Sequence, residues 1–263
     1  METKKISGPV LPPNKPGDPD DEEITLAITV TTPFKFTGIF ETKYGAQGTV
    51  FVRHYAIDRG GFQSPIEISL ADRQVRHLQG VTTGQIVVPP SVSELDYPIN
   101  LSTFLEIGRT SRTTLMAVGV VAEPDGTRHK VSYSSGAQDD QIIVLAVPAR
   151  LSIRTGRKSL STRSGGVVSL LVSVNRGTAL SGPVTVQLLV PRHMRGISAE
   201  EIVIAANENQ DMLTLRFAEG RFGPFNMPLT LRARMMDDRG YPVLSDTTFD
   251  VVAIKRSRRT QKP

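Results

Sequence analysis

One segment of this chain occurs twice: the sequence between Gly48 and Tyr133 returns, in diverged form, between Gly166 and Phe249. The offset between matching positions stays at 116 to 118 residues, although most side chains differ. The matched runs are Gly48-Thr49-Val50 with Gly166-Val167-Val168, Ser64-Pro65-Ile66-Glu67-Ile68 with Gly182-Pro183-Val184-Thr185-Val186, Gln79-Gly80-Val81 with Arg195-Gly196-Ile197, Ile86-Val87-Val88 with Ile202-Val203-Ile204, and Thr114-Leu115-Met116-Ala117 with Thr230-Leu231-Arg232-Ala233. A period of this length is that of a whole domain, not of a solenoid unit. We therefore predict a duplicated domain.

Within each copy, apolar residues alternate with small or polar ones in short runs that end at Gly, Pro or Asp. The run Ile24–Val30 is typical of a half-buried strand. Glu123-Pro124-Asp125-Gly126 and Asp237-Asp238-Arg239-Gly240 predict hairpin turns at equivalent places in the two copies. No helical period persists over the roughly 10 to 12 residues that a helix requires. About seven short strands per copy predict an all-β chain of two tandem immunoglobulin-like β-sandwich domains.

The composition of the chain gives the domain boundaries. We predict a first β-sandwich at residues 24–148 and a second at residues 149–254. Residues 1–23 are predicted to be a disordered linker, because this segment is rich in proline and acids and has little to bury. Residues 255–263 are predicted to be a disordered basic tail. A chain of 263 residues is long enough for two domains, each with its own core.

The charge and the cysteine content exclude several kinds of chemistry. The chain has no cysteine, which rules out disulfides, thiolate catalysis and zinc sites built from cysteine. Of its net charge of +5, the tail 255–263 alone carries five positive charges. A solvated terminus explains that tail better than a nucleic-acid partner does, so nucleic acid is not the predicted partner. No apolar stretch reaches the roughly 20 residues of a membrane span, and the N-terminus lacks the pattern of a secretory signal.

No residue pattern in the sequence indicates catalysis or metal binding. The four histidines are too far apart to form a metal pair: His54, His77, His129 and His193. The nucleophile elbow G-x-S-x-G is absent. We predict that the chain is not an enzyme, has no catalytic residues, and requires no cofactor or metal.

Acidic residues cluster at predicted loop ends, at Asp139-Asp140 in the first copy and at Asp237-Asp238 with Asp246 in the second. Such carboxylates could hold calcium, which takes six to eight oxygen ligands. No regularly spaced calcium loop is present, and aspartate is a common turn former. Turn formation is therefore the favoured interpretation.

The densest aromatic stretch lies near the start of the first copy, at Phe34, Phe36, Phe40 and Tyr44. These rings could fill the core of the first sandwich or its joint with the second, which is the interpretation we favour. The alternative hypothesis makes the four residues a ligand-binding surface for a sugar or a protein. It requires the rings to be exposed on one face.

Several longer runs resemble a known family. They are Phe36-Thr37-Gly38-Ile39-Phe40-Glu41, Val52-Arg53-His54-Tyr55-Ala56-Ile57-Asp58-Arg59-Gly60-Gly61-Phe62, Leu70-Ala71-Asp72-Arg73-Gln74-Val75-Arg76-His77-Leu78-Gln79-Gly80-Val81, Glu106-Ile107-Gly108-Arg109-Thr110-Ser111-Arg112 and Gly223-Pro224-Phe225-Asn226-Met227-Pro228-Leu229. Together they resemble tandem domains in large exported planctomycete proteins, often labelled pre-peptidase C-terminal domain proteins. The resemblance spans Ile24 to Val252 and implies structural or interaction repeats in the periplasm or cell envelope. It brings no catalytic residues.

From these observations we predict a non-catalytic structural or interaction module: a spacer, envelope or adhesion element within a larger extracytoplasmic assembly. Its predicted partners are proteins or components of the cell envelope. One alternative is a carbohydrate- or protein-ligand-binding module that uses the aromatic surface near residues 34–44. A second alternative is an accessory pair of pre-peptidase type that assists a secreted protease.

Overall fold

The computed structural model describes residues 3–7, 23–27, 30–37, 41–71, 80–108, 110–135 and 142–254. Every extended regular element in these ranges is a β-strand. We number the strands β1 to β21 in chain order. None of the described residues forms a helix with the length and apolar character needed to cross a membrane.

The first two strands form a ribbon of their own. Strand β1 (Thr3–Ser7) pairs antiparallel with β2 (Glu23–Ala27). The prediction of a disordered segment 1–23 is therefore wrong for Thr3–Ser7. This stretch contains no proline or glycine and includes Thr3 and Ile6, which favour strands, whereas the prolines that motivated the prediction come later. Residues 8–22 and the predicted tail 255–263 lie outside the described residues.

The next ten strands build the first sandwich. They are β3 (Lys35–Thr37), β4 (Glu41–Ala46), β5 (Val50–Asp58), β6 (Ile66–Leu70), β7 (Ile86–Val88), β8 (Glu94–Asn100), β9 (Thr110–Thr113), β10 (Leu115–Ala122), β11 (Arg128–Ser134) and β12 (Ile142–Val147). Their sheet orders are β3-β5-β8, β11-β10-β6-β7 and β4-β12-β9. All of these pairs are antiparallel except β4 with β12, which is parallel.

The last nine strands build the second sandwich. They are β13 (Leu151–Thr155), β14 (Ser159–Thr162), β15 (Val167–Arg176), β16 (Val184–Leu189), β17 (Ile197–Ala199), β18 (Ile202–Ile204), β19 (Gln210–Phe217), β20 (Leu229–Met236) and β21 (Pro242–Ala253). One sheet has the order β13-β15-β19-β17 and the other has the order β14-β21-β20-β16-β18. Strand β14 runs parallel to β21, as β4 does to β12.

The two sandwiches repeat the same strand register, and this confirms the immunoglobulin-like fold predicted from the duplication. The equivalent Cα pairs are Ile68 with Ala117 and Ile66 with Val88 in the first sandwich, and Val186 with Ala233 and Val184 with Ile204 in the second. The strands that the sequence did not predict are short ones, including β3, β4, β14 and β17. The domain boundaries 24–148 and 149–254 stay predictions.

Each sandwich has its own hydrophobic core between its sheets. In the first, side chains of β3, β5 and β8 meet those of β6, β10 and β11, with Tyr55, Tyr97 and Ile68 fully buried. In the second, β13, β15 and β19 face β16, β20 and β21, with Leu213 and Leu231 fully buried. The buried positions alternate along the strands, as expected when one face of each sheet meets the other sheet.

The predicted hairpin turns are confirmed in both sandwiches. The Gly126 N–H donates to the Glu123 carbonyl at 2.9 Å, and the Gly240 N–H donates to the Asp237 carbonyl at 3.0 Å. The Asp237 carboxylate also accepts the N–H groups of Arg239 and Tyr241, at 3.0 and 2.8 Å. Asp237 therefore forms a turn, as the favoured interpretation of the acidic residues stated.

Each sandwich also contains one arginine that holds its loops together, and sequence reasoning did not single out either of them. The Arg59 guanidinium donates to the carbonyl oxygens of Val92, Ser64, Val88 and Pro89, at 2.9, 3.1, 3.3 and 2.6 Å. The Arg176 guanidinium donates to those of Gly182, Glu208, Ile204 and Ala205, at 2.9, 2.7, 3.2 and 2.9 Å. The two arginines are 117 positions apart, so they are copies of one another. We refer to them as the loop arginines.

Candidate functional site

The aromatic segment proposed as a ligand surface is divided between core and solvent. Phe34 and Phe36 are each 1% exposed, and Tyr44 is 70% exposed. The ring centroid of Phe34 lies 5.1 Å from that of Phe62, and that of Phe36 lies 5.3 Å from that of Tyr55. Phe40 lies outside the described residues. The surface hypothesis is thus wrong for Phe34 and Phe36, because rings enclosed in the first core cannot stack on a ligand, and the core interpretation is confirmed for these two.

The opposite environments of Phe36 and Tyr44 give a direct test. Replacing Phe36 by alanine should lower the free energy of unfolding of the first sandwich by about 3–5 kcal/mol, because it leaves a cavity in the core. The matched change Tyr44→Ala should alter it by less than about 0.5 kcal/mol. Urea titration followed by circular dichroism measures both. Equal effects of the two changes would contradict the assignment of these rings.

Two histidines among the described residues lie beside acidic side chains. His54 Nδ1 lies 3.1 Å from Asp96 Oδ1, and His129 Nε2 lies 3.8 Å from Glu123 Oε1. Within the described ranges, no group of three His, Asp or Glu side chains could hold a metal ion. His77 and Asp139-Asp140 lie outside these ranges. The predictions that the chain is not an enzyme and binds no metal stay predictions.

A groove at one end of the second sandwich is the strongest candidate for a functional site. We call it the basic groove; it is lined by His193, Arg195, Arg221, Phe222, Gly223 and Pro224, and its volume is about 950 Å³. One side comes from the loop between β16 and β17, and the other comes from the loop between β19 and β20. The run Gly223–Leu229, which carries part of the family resemblance, covers the end of the second loop and the first residue of β20.

Backbone hydrogen bonds fix the two loops against each other. The Arg195 N–H donates to the Gly223 carbonyl at 3.2 Å, and the Gly223 N–H donates back to the Arg195 carbonyl at 2.8 Å. A third bond runs from the Ala218 N–H to the Gly196 carbonyl at 2.9 Å. Met194, between two groove residues, is only 4% exposed and packs into the second core. The backbone at Arg195 is therefore held in place although its side chain is exposed.

Three phenylalanines form the base under the second loop. The centroid of the Phe217 ring lies 6.1 Å from that of Phe222 and 6.0 Å from that of Phe225, and the last two are 5.6 Å apart. All three pairs meet edge to face, the arrangement that aromatic quadrupoles favour. Phe217 is 4% exposed and belongs to the core. The groove thus has a rigid floor.

The groove is positively charged and its described lining includes no acid. Arg195 and Arg221 are exposed, and among the described residues neither guanidinium has an ion pair or a side-chain hydrogen bond. His193 Nε2 lies 3.2 Å from Asn226 Oδ1. The second sandwich as a whole is also positively charged: residues 149–254 contain thirteen Lys and Arg against nine Asp and Glu. Residues 24–148 contain ten Lys and Arg against eleven Asp and Glu.

A second concavity, on the sheet face of the same sandwich, differs in its charge. Its lining includes Thr185, Gln187, Glu201, Arg234 and Met236, and its volume is about 490 Å³. Glu201 and Arg234 have opposite charges, so this surface carries no net charge from these side chains. The basic groove is therefore the better site for a charged partner.

No family model matches the chain. No curated protein matches it either. The resemblance to planctomycete pre-peptidase C-terminal domain proteins is thus not supported by a family match, and it stays a prediction.

Several solved structures are similar to this chain at low identity. The calcium binding domain CBD12 of CALX1.1 is 16% identical, with a TM-score of 0.26, over 78% of this chain and 81% of that one. Fibronectin(III)-like modules of Clostridium thermocellum CbhA are 8% identical, with a TM-score of 0.27, over 88% and 100%. A protein of unknown function from Porphyromonas gingivalis W83 is 10% identical, with a TM-score of 0.27, over 83% and 99%. At these values neither a function nor a site is transferred.

Proposed function

We propose that the chain is a non-catalytic interaction module in which two β-sandwiches form one rigid spacer. Sandwiches of this class commonly serve as interaction or spacer modules, although a fold alone does not define a function. The observation that carries the proposal is a polar joint between the sandwiches. We call it the joint; it consists of Gly48 and Thr103 from the first sandwich, and Arg232, Leu244 and Asp246 from the second.

The backbone part of the joint lies on the open edge of β21. Strand β14 pairs with β21 at Asp250–Ala253 only, which leaves the first part of β21 without a strand on that side. There the Leu244 N–H donates to the Gly48 carbonyl at 2.7 Å. The turn between β4 and β5 therefore meets the second sandwich through a main-chain hydrogen bond.

The side-chain part of the joint is centred on Asp246, which we predicted to lie at a loop end and to form a turn. This position is wrong: Asp246 lies within β21 and faces Arg232 on β20. Its carboxylate accepts Nε and Nη2 of Arg232, each at 2.8 Å, and Oγ1 of Thr103, also at 2.8 Å. Burial raises the pKa of Asp246, but the hydrogen bonds from Arg232 and Thr103, together with the positive charge of Arg232, outweigh it and hold the pKa below its usual value.

The linker between the sandwiches is short and is tied down at both ends. Strand β12 ends at Val147 and β13 begins at Leu151. The Val147 carbonyl accepts the Gln47 N–H at 3.1 Å, and the Arg150 carbonyl accepts the Gly177 N–H at 2.7 Å. A linker of this length limits how far the two sandwiches can separate, which supports the spacer proposal.

The setting of this spacer follows from the family resemblance. The resemblance to tandem domains of exported planctomycete proteins supports an extracytoplasmic location, in the periplasm or cell envelope, as part of a larger assembly. Partners there would be proteins or envelope components that meet the loops and edge strands of the sandwiches.

Rigidity can be tested by nitrogen-15 relaxation of the full chain. At pH 7 we expect the two sandwiches to share one rotational correlation time, because the joint holds them as one body. Replacing Asp246 by asparagine removes the charge that strengthens its hydrogen bond from Thr103, the side-chain contact across the joint, so it should separate the correlation times. Lys158→Gln, an exposed change of charge in the same sandwich, serves as the control and should leave them equal. Two different times in the unmodified chain at pH 7 would rule out the spacer.

The joint should also respond to acid. Because the pKa of Asp246 is lower in the folded protein than in the unfolded chain, its contribution is complete above the usual carboxyl pKa. That contribution is lost as the pH falls through the lowered pKa. The two sandwiches should therefore have different correlation times below about pH 3.8. The Asp246→Asn variant should show no such transition in this range.

A further inference from the structure

We propose that the basic groove binds an acidic peptide segment of a partner protein, with Arg195 and Arg221 taking its carboxylates. This inference goes beyond the spacer role and does not depend on the joint. It rests on the geometry and charge of the two loops that form the groove.

The two guanidinium groups are free to bind carboxylates. Neither has an acidic partner among the described residues, and the described lining of the groove contains no Asp or Glu. A guanidinium presents a planar set of N–H donors that matches the two oxygens of a carboxylate. Because the loops are tied through Arg195 and Gly223 at 3.2 and 2.8 Å, little backbone order is lost on binding.

The apolar part of the lining favours a peptide over a sugar. Sugar platforms use the open face of an aromatic ring, whereas Phe222 is half-buried and meets Phe217 and Phe225 edge to face. The remaining apolar contacts come from Pro224 and the exposed part of Phe222. These suit small aliphatic side chains between the acids of a peptide.

The sheet order adds a place for the peptide backbone. Strand β17 begins at Ile197, two positions after Arg195, and it forms one edge of the sheet β13-β15-β19-β17. An extended peptide can hydrogen-bond to such an edge while its alternate side chains enter neighbouring pockets. A segment with an acid at every second position would direct its carboxylates to one side.

The test uses the full chain and a fluorescein-labelled peptide of eight residues in which glutamate and valine alternate. Fluorescence anisotropy should show saturable binding that weakens as the NaCl concentration rises. The double variant Arg195→Gln, Arg221→Gln should weaken binding about tenfold or more, because two charge-assisted contacts are lost. The matched double variant Arg154→Gln, Arg157→Gln changes the net charge equally on exposed residues of the same sandwich. It should stay within about twofold of the unmodified chain.

Three results would overturn the proposal. The first is equal binding of a peptide in which glutamine replaces glutamate, since the carboxylates would then be irrelevant. The second is equal weakening by both double variants, which would indicate only general charge attraction. The third is tight binding of polygalacturonate at the groove with no binding of the peptide, which would make the partner an acidic polysaccharide. A circular dichroism melt of each variant shows whether it is folded.

Discussion

Replacing Arg176 by lysine should lower the free energy of unfolding of the second sandwich by about 3 kcal/mol. The Arg176 guanidinium donates to four carbonyl oxygens, one before β16, one at the end of β18 and two on the connection from β18 to β19, at 2.7 to 3.2 Å, and to Asn209 Oδ1 at 3.2 Å. A lysine ammonium is a single point with three donors, so it cannot reach all of these acceptors together. The carbonyls left without a donor then destabilise the folded state. Urea titration followed by circular dichroism measures the loss.

The duplication supplies the control for this experiment. Arg59→Lys should destabilise the first sandwich in the same way, because its guanidinium donates to carbonyls at equivalent positions. The exposed change Arg157→Lys should alter the free energy of unfolding by less than about 0.5 kcal/mol. An effect of Arg176→Lys as small as that of Arg157→Lys would contradict the role given to the loop arginines.

Replacing Gly48 by valine should open the joint and let the two sandwiches move separately. Gly48 has a φ of +69°, which is left-handed backbone that a β-branched residue rarely adopts. A Cβ at this position would also overlap the Leu244 carbonyl oxygen. The turn must therefore move away from β21, and the hydrogen bond from the Leu244 N–H is lost. Small-angle X-ray scattering should record a larger radius of gyration.

A second glycine separates backbone strain from the close approach. Gly126 has a φ of +87°, but a Cβ there meets no other heavy atom within 4 Å. Gly126→Val should strain its hairpin locally, by about 1–2 kcal/mol, and leave the radius of gyration unchanged. If both variants expand the molecule alike, the contact between Gly48 and Leu244 does not hold the sandwiches together.

The fold could be predicted from the sequence because the matched residues of the repeat are those that a sandwich requires. Ile68 and Val186 are core residues in equivalent strands, and Ala117 and Ala233 oppose them. The burial of Phe36 was predicted from its aromatic side chain, whereas the strand that carries it, β3, was not. The parallel pairings of β4 with β12 and of β14 with β21 could not be predicted, because the two strands of each pair lie about 90 to 100 residues apart in the chain.

The candidate site was harder to predict because its residues come from separate loops and meet only in the folded chain. Arg195 and Gly223 are far apart in sequence, and the basic run Arg192–Arg195 on its own is typical of an exposed surface loop. Asp246 was misplaced for the same reason, since Thr103 lies 143 positions before it. The loop arginines did leave a signal: Arg59 and Arg176 share the offset of the repeat, although their carbonyl partners have no side-chain signature.

The open edge of β21 has a consequence for how a chain of this kind behaves at high concentration. Main-chain groups without a partner at the edge of a sheet can pair with a strand of another molecule, and this is a common route to aggregation. On β21, strand β14 covers only Asp250–Ala253, and the turn at Gly48 meets the part that β14 leaves open. The first sandwich therefore covers part of the edge of β21. A second sandwich produced without the first would expose that edge strand, and we expect it to aggregate more readily.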